Sequence, residues 1–309
     1  MTQRLLLAGL AALSLSACSA SQAETATATD SAAPAPAPAG APVNSAMPDQ
    51  PAAPPRNATF TLGGELTQGG WIRGIAPDGA ESLSLGGTPV KLGPDGQFFA
   101  AFDRDAASGT QLVATMPDGK KLQRAITVSP RAWNIEHVNV ARRAGGPSAA
   151  FMERRRPELA RINAARSANA DSNGWRQDFI WPVKGRISGR FGSQRVYRGE
   201  PGSYHSGIDI TTGTSGTPFV APADGVVVLA AQQPFSLEGY LLMIDHGAGL
   251  NSAFLHCSEL LVNEGDSVRQ GQVIGRIGMS GRATGPHLHW SLKWDNARLD
   301  PLLLVREPM

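Results

Sequence analysis

The chain is poor in cysteine, in tyrosine and in net charge. Two Cys in 309 residues exclude both a disulfide-stapled scaffold and a four-cysteine zinc module. A formal net charge of +2 provides no broad surface for polyanions, which argues against nucleic acid as a partner. Charged residues are only 17% of the chain and hydrophobic ones 41%, the balance of a globular protein rather than a wholly disordered one. No apolar run reaches the roughly 20 residues of a membrane-spanning helix. Turn formers are what the sequence has in quantity. Its 35 Gly and 23 Pro favour β structure with many turns, and linkers, over helical bundles.

Near the N-terminus, Arg4 precedes the apolar stretch from Leu5 to Leu15, which is too short to cross a bilayer. It ends in Leu15-Ser16-Ala17-Cys18, a run that resembles the lipobox of bacterial lipoproteins. The resemblance implies lipidation of Cys18 as the first residue of the mature chain. An ordinary signal peptide cut after Ala17 is the alternative. Ser19 resembles the residue found in lipoproteins sent to the outer membrane. The expectation is an exported, periplasmic protein held at the outer membrane through lipidated Cys18, with Cys257 left as a lone thiol. Residues 19–56 are dominated by Ala, Pro, Ser and Thr, with Pro34-Ala35-Pro36-Ala37-Pro38 at their centre. Such a composition buries too little surface to fold. It is expected to act as a tether with a reach on the order of 100 Å, at ~3 Å per residue.

Residues 57–140 read as a small β-sandwich-like accessory domain. Short β-rich runs such as Phe60-Thr61-Leu62 and Gln97-Phe98-Phe99-Ala100 are separated by Pro77-Asp78-Gly79, Pro94-Asp95-Gly96 and Pro117-Asp118-Gly119, which predict three hairpins. No catalytic cluster is visible there, so a structural or docking module is expected. Residues 141–173 are rich in Arg, with Phe151, Met152, Leu159 and Ile162 at roughly helical spacing. They predict a basic linking helix from about 148 to 169, weakened in its middle by Pro157 or beginning there.

Residues 174–309 hold five of the six histidines in another β-rich, glycine-divided stretch. In a strand, residues an even number apart share a face. His205 and Asp209 would then point one way while Ile208 and Ile210 point to a core. His287 and His289 would share a face, backed by Leu288 and Trp290. In Phe254-Leu255-His256-Cys257, His256 would lie with Phe254, and Cys257 would turn inward with Leu255. Two imidazoles and a carboxylate suit zinc and leave a fourth position open, as in a hydrolase. A Cys–His nucleophile is excluded by the opposite facing of His256 and Cys257. His246 fits neither motif and reads as structural.

At these residues the sequence is similar to the lysostaphin-like zinc metallopeptidases of bacterial peptidoglycan. His205-x-x-x-Asp209, Phe254-Leu255-His256-Cys257-Ser258 and Gly285-Pro286-His287-Leu288-His289 resemble the three signatures of that family. The segments around Ala221-Pro222-Ala223-Asp224-Gly225 and Gln270-Gly271-Gln272-Val273-Ile274-Gly275 resemble its scaffold. The likeness runs from about Trp181 to Leu304. Cys257 stands where the family usually has Leu, and Ser291 where Glu is commoner. The resemblance implies a C-terminal antiparallel β-sheet metallopeptidase domain with an open groove. It makes His205, Asp209 and His289 the ligands of one Zn2+, and His256 and His287 the catalytic pair. It implies hydrolysis of peptide crosslinks by a metal-activated water. Tyr204 and Arg190 are candidates for the groove lining. The alternative is a non-catalytic binding module that activates other wall hydrolases. Cell-wall or division proteins would be further partners.

Overall fold

The computed structural model describes residues 58–142 and 145–305; Cys18, the signal segment and the tether lie outside these described residues. Eight strands precede the helix: β1 (Thr61–Glu65), β2 (Trp71–Ile75), β3 (Ser82–Leu85), β4 (Thr88–Val90), β5 (Gln97–Ala101), β6 (Gly109–Thr115), β7 (Lys121–Thr127) and β8 (Ile135–Val138). The first seven make two antiparallel sheets, ordered β1-β2-β5 and β4-β3-β6-β7. Ile72 and Phe98 from one sheet and Leu83, Leu112 and Ile126 from the other are buried in one shared core. This is the expected sandwich-like arrangement, with one correction. Pro117-Asp118-Gly119 closes the β6–β7 hairpin, and Pro94-Asp95-Gly96 closes a short one through the antiparallel Leu92–Phe98 bridge. Pro77-Asp78-Gly79 and Pro94-Asp95-Gly96 join β2 to β3 and β4 to β5, and so carry the chain from one sheet to the other. Of the three turns, only Pro77-Asp78-Gly79 closes no hairpin among the described residues. A turn motif fixes the local reversal but not which strand the chain pairs with afterwards.

Helix α1 (Ala149–Ser167) starts where Ser148 Oγ accepts the Phe151 N–H at 3.2 Å, a side-chain N-cap. Pro157 lies inside the helix without ending it. The residue whose carbonyl loses a donor, Glu153, is exposed, so water can satisfy that group. The helix is more than a solvated connector. Ile162 and Ala165 are buried against Leu229, Leu241, Met243 and Ala253 in a second apolar cluster.

Thirteen strands follow: β9 (Arg186–Gly189), β10 (Gln194–Tyr197), β11 (Glu200–Pro201), β12 (Ile208–Thr211), β13 (Pro218–Val220), β14 (Gly225–Ala230), β15 (Tyr240–Asp245), β16 (Leu250–Cys257), β17 (Glu259–Leu260), β18 (Ser267–Val268), β19 (Val273–Arg276), β20 (Leu288–Trp294) and β21 (Ala297–Leu299). The main sheet runs β18-β14-β15-β16-β20-β12-β9, with β21 paired to β20. One of its faces buries Ile208, Ile210, Leu242, Phe254, Leu288 and Trp290. Part of the opposite face lies under α1, and another part carries Asp209 and His289. A small sheet, β13-β19-β17, stands beside it.

The described residues all fall in a single compact unit. The Trp71 indole donates to the Leu303 carbonyl at 2.8 Å, Arg131 pairs with buried Asp300 at 2.8 Å, and the Arg298 N–H donates to Asp103. Strand β8 adds in parallel to β10, so part of the wall beside the site comes from residues before the helix.

Candidate metal centre and its flanking histidines

The register of the main sheet brings the site together. Asp209 on β12 sits directly opposite His289 on β20, and each alternates with residues that point into the core. His205 reaches them from the loop before β12, not from the strand itself. Its Nε2 lies 3.1 Å from Asp209 Oδ1 and 3.0 Å from His289 Nδ1, and His289 Nδ1 lies 2.9 Å from Asp209 Oδ1. Three ligand atoms at ~2.0–2.1 Å from a tetrahedral zinc would stand about 3.3 Å apart. The triangle of two nitrogens and an oxygen fits such an ion and leaves one position for water or substrate. Two glycines make the close approach possible. A Cβ on Gly207 would stand 2.4 Å from the Trp290 carbonyl and 2.9 Å from His289 Nε2, and one on Gly189 would stand 2.3 Å from Asp209 Oδ2.

Backbone carbonyls orient the rings. His205 donates Nδ1–H to the Arg190 carbonyl at 3.1 Å, which leaves Nε2 facing the triangle. In the metal-free chain the electrostatics centre on Asp209. Burial opposes its charge, but the hydrogen bonds from His205 and His289 outweigh burial and hold the carboxyl far below the usual range. Burial also opposes charge on His205, yet its bond to Asp209 wins and its pKa rises. For His289 burial dominates and the pKa falls.

His256 and His287 flank the triangle. Their ring centroids are 4.9 Å apart, and His256 lies 6.3 Å from the His289 ring. His287 Nε2 is 3.6 Å from Asp209 Oδ1, outside the tight triangle. His256 donates Nδ1–H to the Ser280 carbonyl at 2.9 Å, and His287 donates Nδ1–H to the Gly285 carbonyl at 2.8 Å. In the neutral form of each ring the lone pair therefore lies on Nε2. Burial pushes the pKa of His256 down, which keeps it neutral near pH 7.

His256 does not reach this position by simple alternation. Phe254 is fully buried in the core, whereas Leu255 packs against the cluster beneath α1. Strict alternation would put His256 in the core with Phe254. Instead the pairing of β15 with β16 slips between Tyr240 and Leu242, and His256 adopts φ 64°. The bulge returns His256 to the site face and sends Cys257 inward. Cys257 is fully buried, and burial pushes its thiol up to about 12, so it takes no part in the chemistry.

Arg190 and Tyr204 both line cavities that include His205 and Asp209. The one bordered by Tyr204 is about 890 Å³ and also takes in Asn134, Glu136 and Arg282. The one bordered by Arg190 is about 370 Å³. Tyr204 Oη contacts Asp103 at 3.4 Å, so it also ties this wall to the first β region. The residue pattern carried no signal for Ser280 or Gly285, because their contribution is a backbone carbonyl. Nor did it point to Asn134, which arrives only through the pairing of β8 with β10.

His246 lies within the core under β20. It donates Nδ1–H to the Asp224 carbonyl at 2.7 Å and accepts from Ser252 Oγ at 2.7 Å, which in turn accepts from Trp290 Nε1 at 3.3 Å. The ring is structural. Burial holds its pKa down to about 4, whereas an unfolded His titrates near 6.5. Between those values the unfolded chain binds more protons, so stability is full above ~6.5 and declines as pH falls toward 4. The contribution of His246 to that loss is on the order of 3 kcal/mol. Urea midpoints measured from pH 7 to pH 5 should fall steeply in the metal-free chain, and less steeply in His246→Gln. His256 and His289 shift in the same direction and add to the slope, whereas His205 shifts up and opposes it.

Comparison with known proteins places this geometry in a family context. The model of peptidase family M23 matches residues 203–301. A stretch of 118 residues is 40% identical to the peptidoglycan DD-endopeptidase ShyA of Vibrio cholerae, covering 36% of this chain and 26% of ShyA. A stretch of 131 residues is 37% identical to the lipoprotein NlpD/LppB homolog of Pseudomonas aeruginosa, covering 42% of this chain and 39% of that protein. The chain thus spans well under half the length of these curated relatives. A crystal structure of a Pseudomonas aeruginosa protein, provisionally named a peptidase M23, superposes with a TM-score of 0.60 at 24% identity. It covers 78% of this chain and 95% of that one. The shared fold therefore extends beyond residues 203–301.

Proposed function

We propose, from the match of residues 203–301 to the model of peptidase family M23, that the chain is a zinc-dependent endopeptidase that hydrolyses the peptide crosslinks of bacterial peptidoglycan. The observation that carries this reading is the triangle of His205 Nε2, Asp209 Oδ1 and His289 Nδ1, with edges of 2.9–3.1 Å. These three residues would hold one zinc. The chemistry zinc supplies in such a set is Lewis acidity toward a carbonyl or a water.

His256 and His287 carry out the proton transfers. Each anchors its Nδ1–H on a carbonyl, which leaves Nε2 to exchange a proton. One ring accepts the proton of the attacking water at Nε2. That same proton, delivered by this ring or relayed through the other, is then donated toward the leaving amine. Tyr204 and Arg190 border the groove that receives the peptide. Lipidated Cys18 anchors the protein at the outer membrane from the periplasmic side, and the Ala/Pro-rich stretch lets the enzyme reach the wall. Similarity to a relative named a lipoprotein supports the anchor.

The test of the reading is digestion of purified sacculi by the full-length chain, followed by muropeptide chromatography. Crosslinked dimers should decline as monomers rise, and EDTA should stop the conversion. Release of glycan fragments with the dimers intact would overturn the assignment. An inactive chain that stimulates other wall hydrolases would favour the binding-module alternative.

A further inference from the structure

We infer that Arg155, on helix α1 outside the segment matched by the family, is a positioning residue that acts on His256. The inference rests on the proposed proton-transfer role of His256.

Arg155 is 7% exposed and grips Glu238 with two bonds of 2.6 Å, Nη1 to Oε2 and Nη2 to Oε1. Its Nη1 also donates to Glu158 at 2.8 Å, and Glu158 in turn accepts both the backbone N–H and the hydroxyl of Ser236. The segment 236–238, just before β15, is therefore held to the helix by charge-assisted bonds at both ends. The carbonyl of Glu238 accepts the backbone N–H of His256 at 2.8 Å.

That last bond falls at the bulge. A non-glycine residue at φ 64° keeps this conformation only when its surroundings impose it. Two anchors do so here. The Glu238 carbonyl holds the backbone of His256, and the Ser280 carbonyl holds its Nδ1. Ser280 is itself fixed, since its hydroxyl donates to the Cys257 carbonyl at 2.7 Å and accepts the Tyr240 N–H at 2.9 Å. Arg155 thus stands at the start of a short chain of contacts, from helix to Glu238 to the bulge to the imidazole. A buried ion pair is a weak source of net stability but sets geometry well when its bonds are bidentate. Placing one at this point registers the loop that aims His256.

The test uses the full-length, zinc-loaded chain and its Arg155→Met, Arg155→Lys and Ile162→Ala variants. Arg155→Met should lower kcat by about 10- to 100-fold, since displacement of a catalytic group by ~1 Å costs that order of rate. KM should change by less than about twofold, and one zinc per chain should remain. Long-range 15N–1H spectra should show His256 changing from a single Nδ1–H tautomer to an averaged mixture. Arg155→Lys, which keeps the charge but not the fork, should recover part of both signals. Ile162→Ala removes apolar packing from the same helix. It should lower Tm while leaving kcat and the His256 spectrum as in the wild type. A folded, zinc-loaded Arg155→Met with an unchanged His256 tautomer would overturn the inference. So would an Ile162→Ala chain that loses as much rate as Arg155→Met. If Arg155→Met does not fold, Arg155→Lys carries the test, and an unaltered tautomer and kcat there overturn it as well. The spectra need no substrate, so they read the clamp even in a chain that does not hydrolyse peptidoglycan.

Discussion

Asp209→Ala should leave the full-length chain without zinc and without hydrolytic activity at once. The carboxylate is the only anion in the triangle, and both imidazoles are held against it, at 3.1 and 2.9 Å. Without it, two partly buried nitrogens 3.0 Å apart remain, with no charge to compensate a divalent cation. Outer-shell partners of a metal contribute about 10- to 100-fold in affinity; loss of a direct ligand should exceed the upper end of that range. Metal analysis after purification at neutral pH, with the wild type as reference, checks the expectation. Equal zinc in the two proteins would refute the ligand set. The variant should still fold, because Ile208 and Ile210 on either side of Asp209 stay buried in the core. Its circular dichroism should match that of the metal-free wild type.

His256→Ala and His287→Ala should keep their zinc and lose turnover. General acid–base groups contribute about 10²–10⁴-fold, and each variant should fall by that order in kcat. The structure explains why metal and rate should separate here. His287 Nε2 stands 3.6 Å from Asp209 Oδ1, beyond the contacts that close the triangle, and His256 reaches the site from a different strand. His205→Ala and His289→Ala should lose metal and activity together. A zinc-free His287→Ala beside a zinc-loaded but inactive His289→Ala would mean that the two residues of the His-x-His pair had exchanged roles. Zinc content and single-turnover rates of the four variants decide this.

The sequence carried the composition of the site more fully than its path. The period of two in Leu288-His289-Trp290 and Ile208-Asp209-Ile210 is enough to put Asp209 and His289 on one face, because both stretches are regular strand. His205 escapes that logic. It lies in a loop, and its meeting with Asp209 depends on Arg190 holding the ring and on Gly207 and Gly189 making room. His256 is the sharper case. The site face was expected for it from an alternation that the structure breaks, and it arrives there because one left-handed residue shifts the register of β16. Bulges, carbonyl anchors and the grip of Arg155 on Glu238 leave no periodic trace. They depend on where distant backbone segments meet. The same holds for the two Pro-Asp-Gly turns that cross between sheets. A local motif can specify the reversal of the chain, but the partner strand is chosen by the core.

The seal between Trp71 and Leu303, with Arg131 on Asp300 beside it, sets an order of events for a newly made chain. The first β region is synthesised early, yet its indole and its guanidinium wait for partners some 170 to 230 positions later. Contacts this far apart close late and slowly. The N-terminal sheets can form before the peptidase region has emerged, but the interface that joins them to it cannot. Without the segment from Asp300 to Leu303, the Trp71 indole and the Arg131 guanidinium would lack these partners. The joint between the first β region and the main sheet is thus among the last contacts to close as the chain folds.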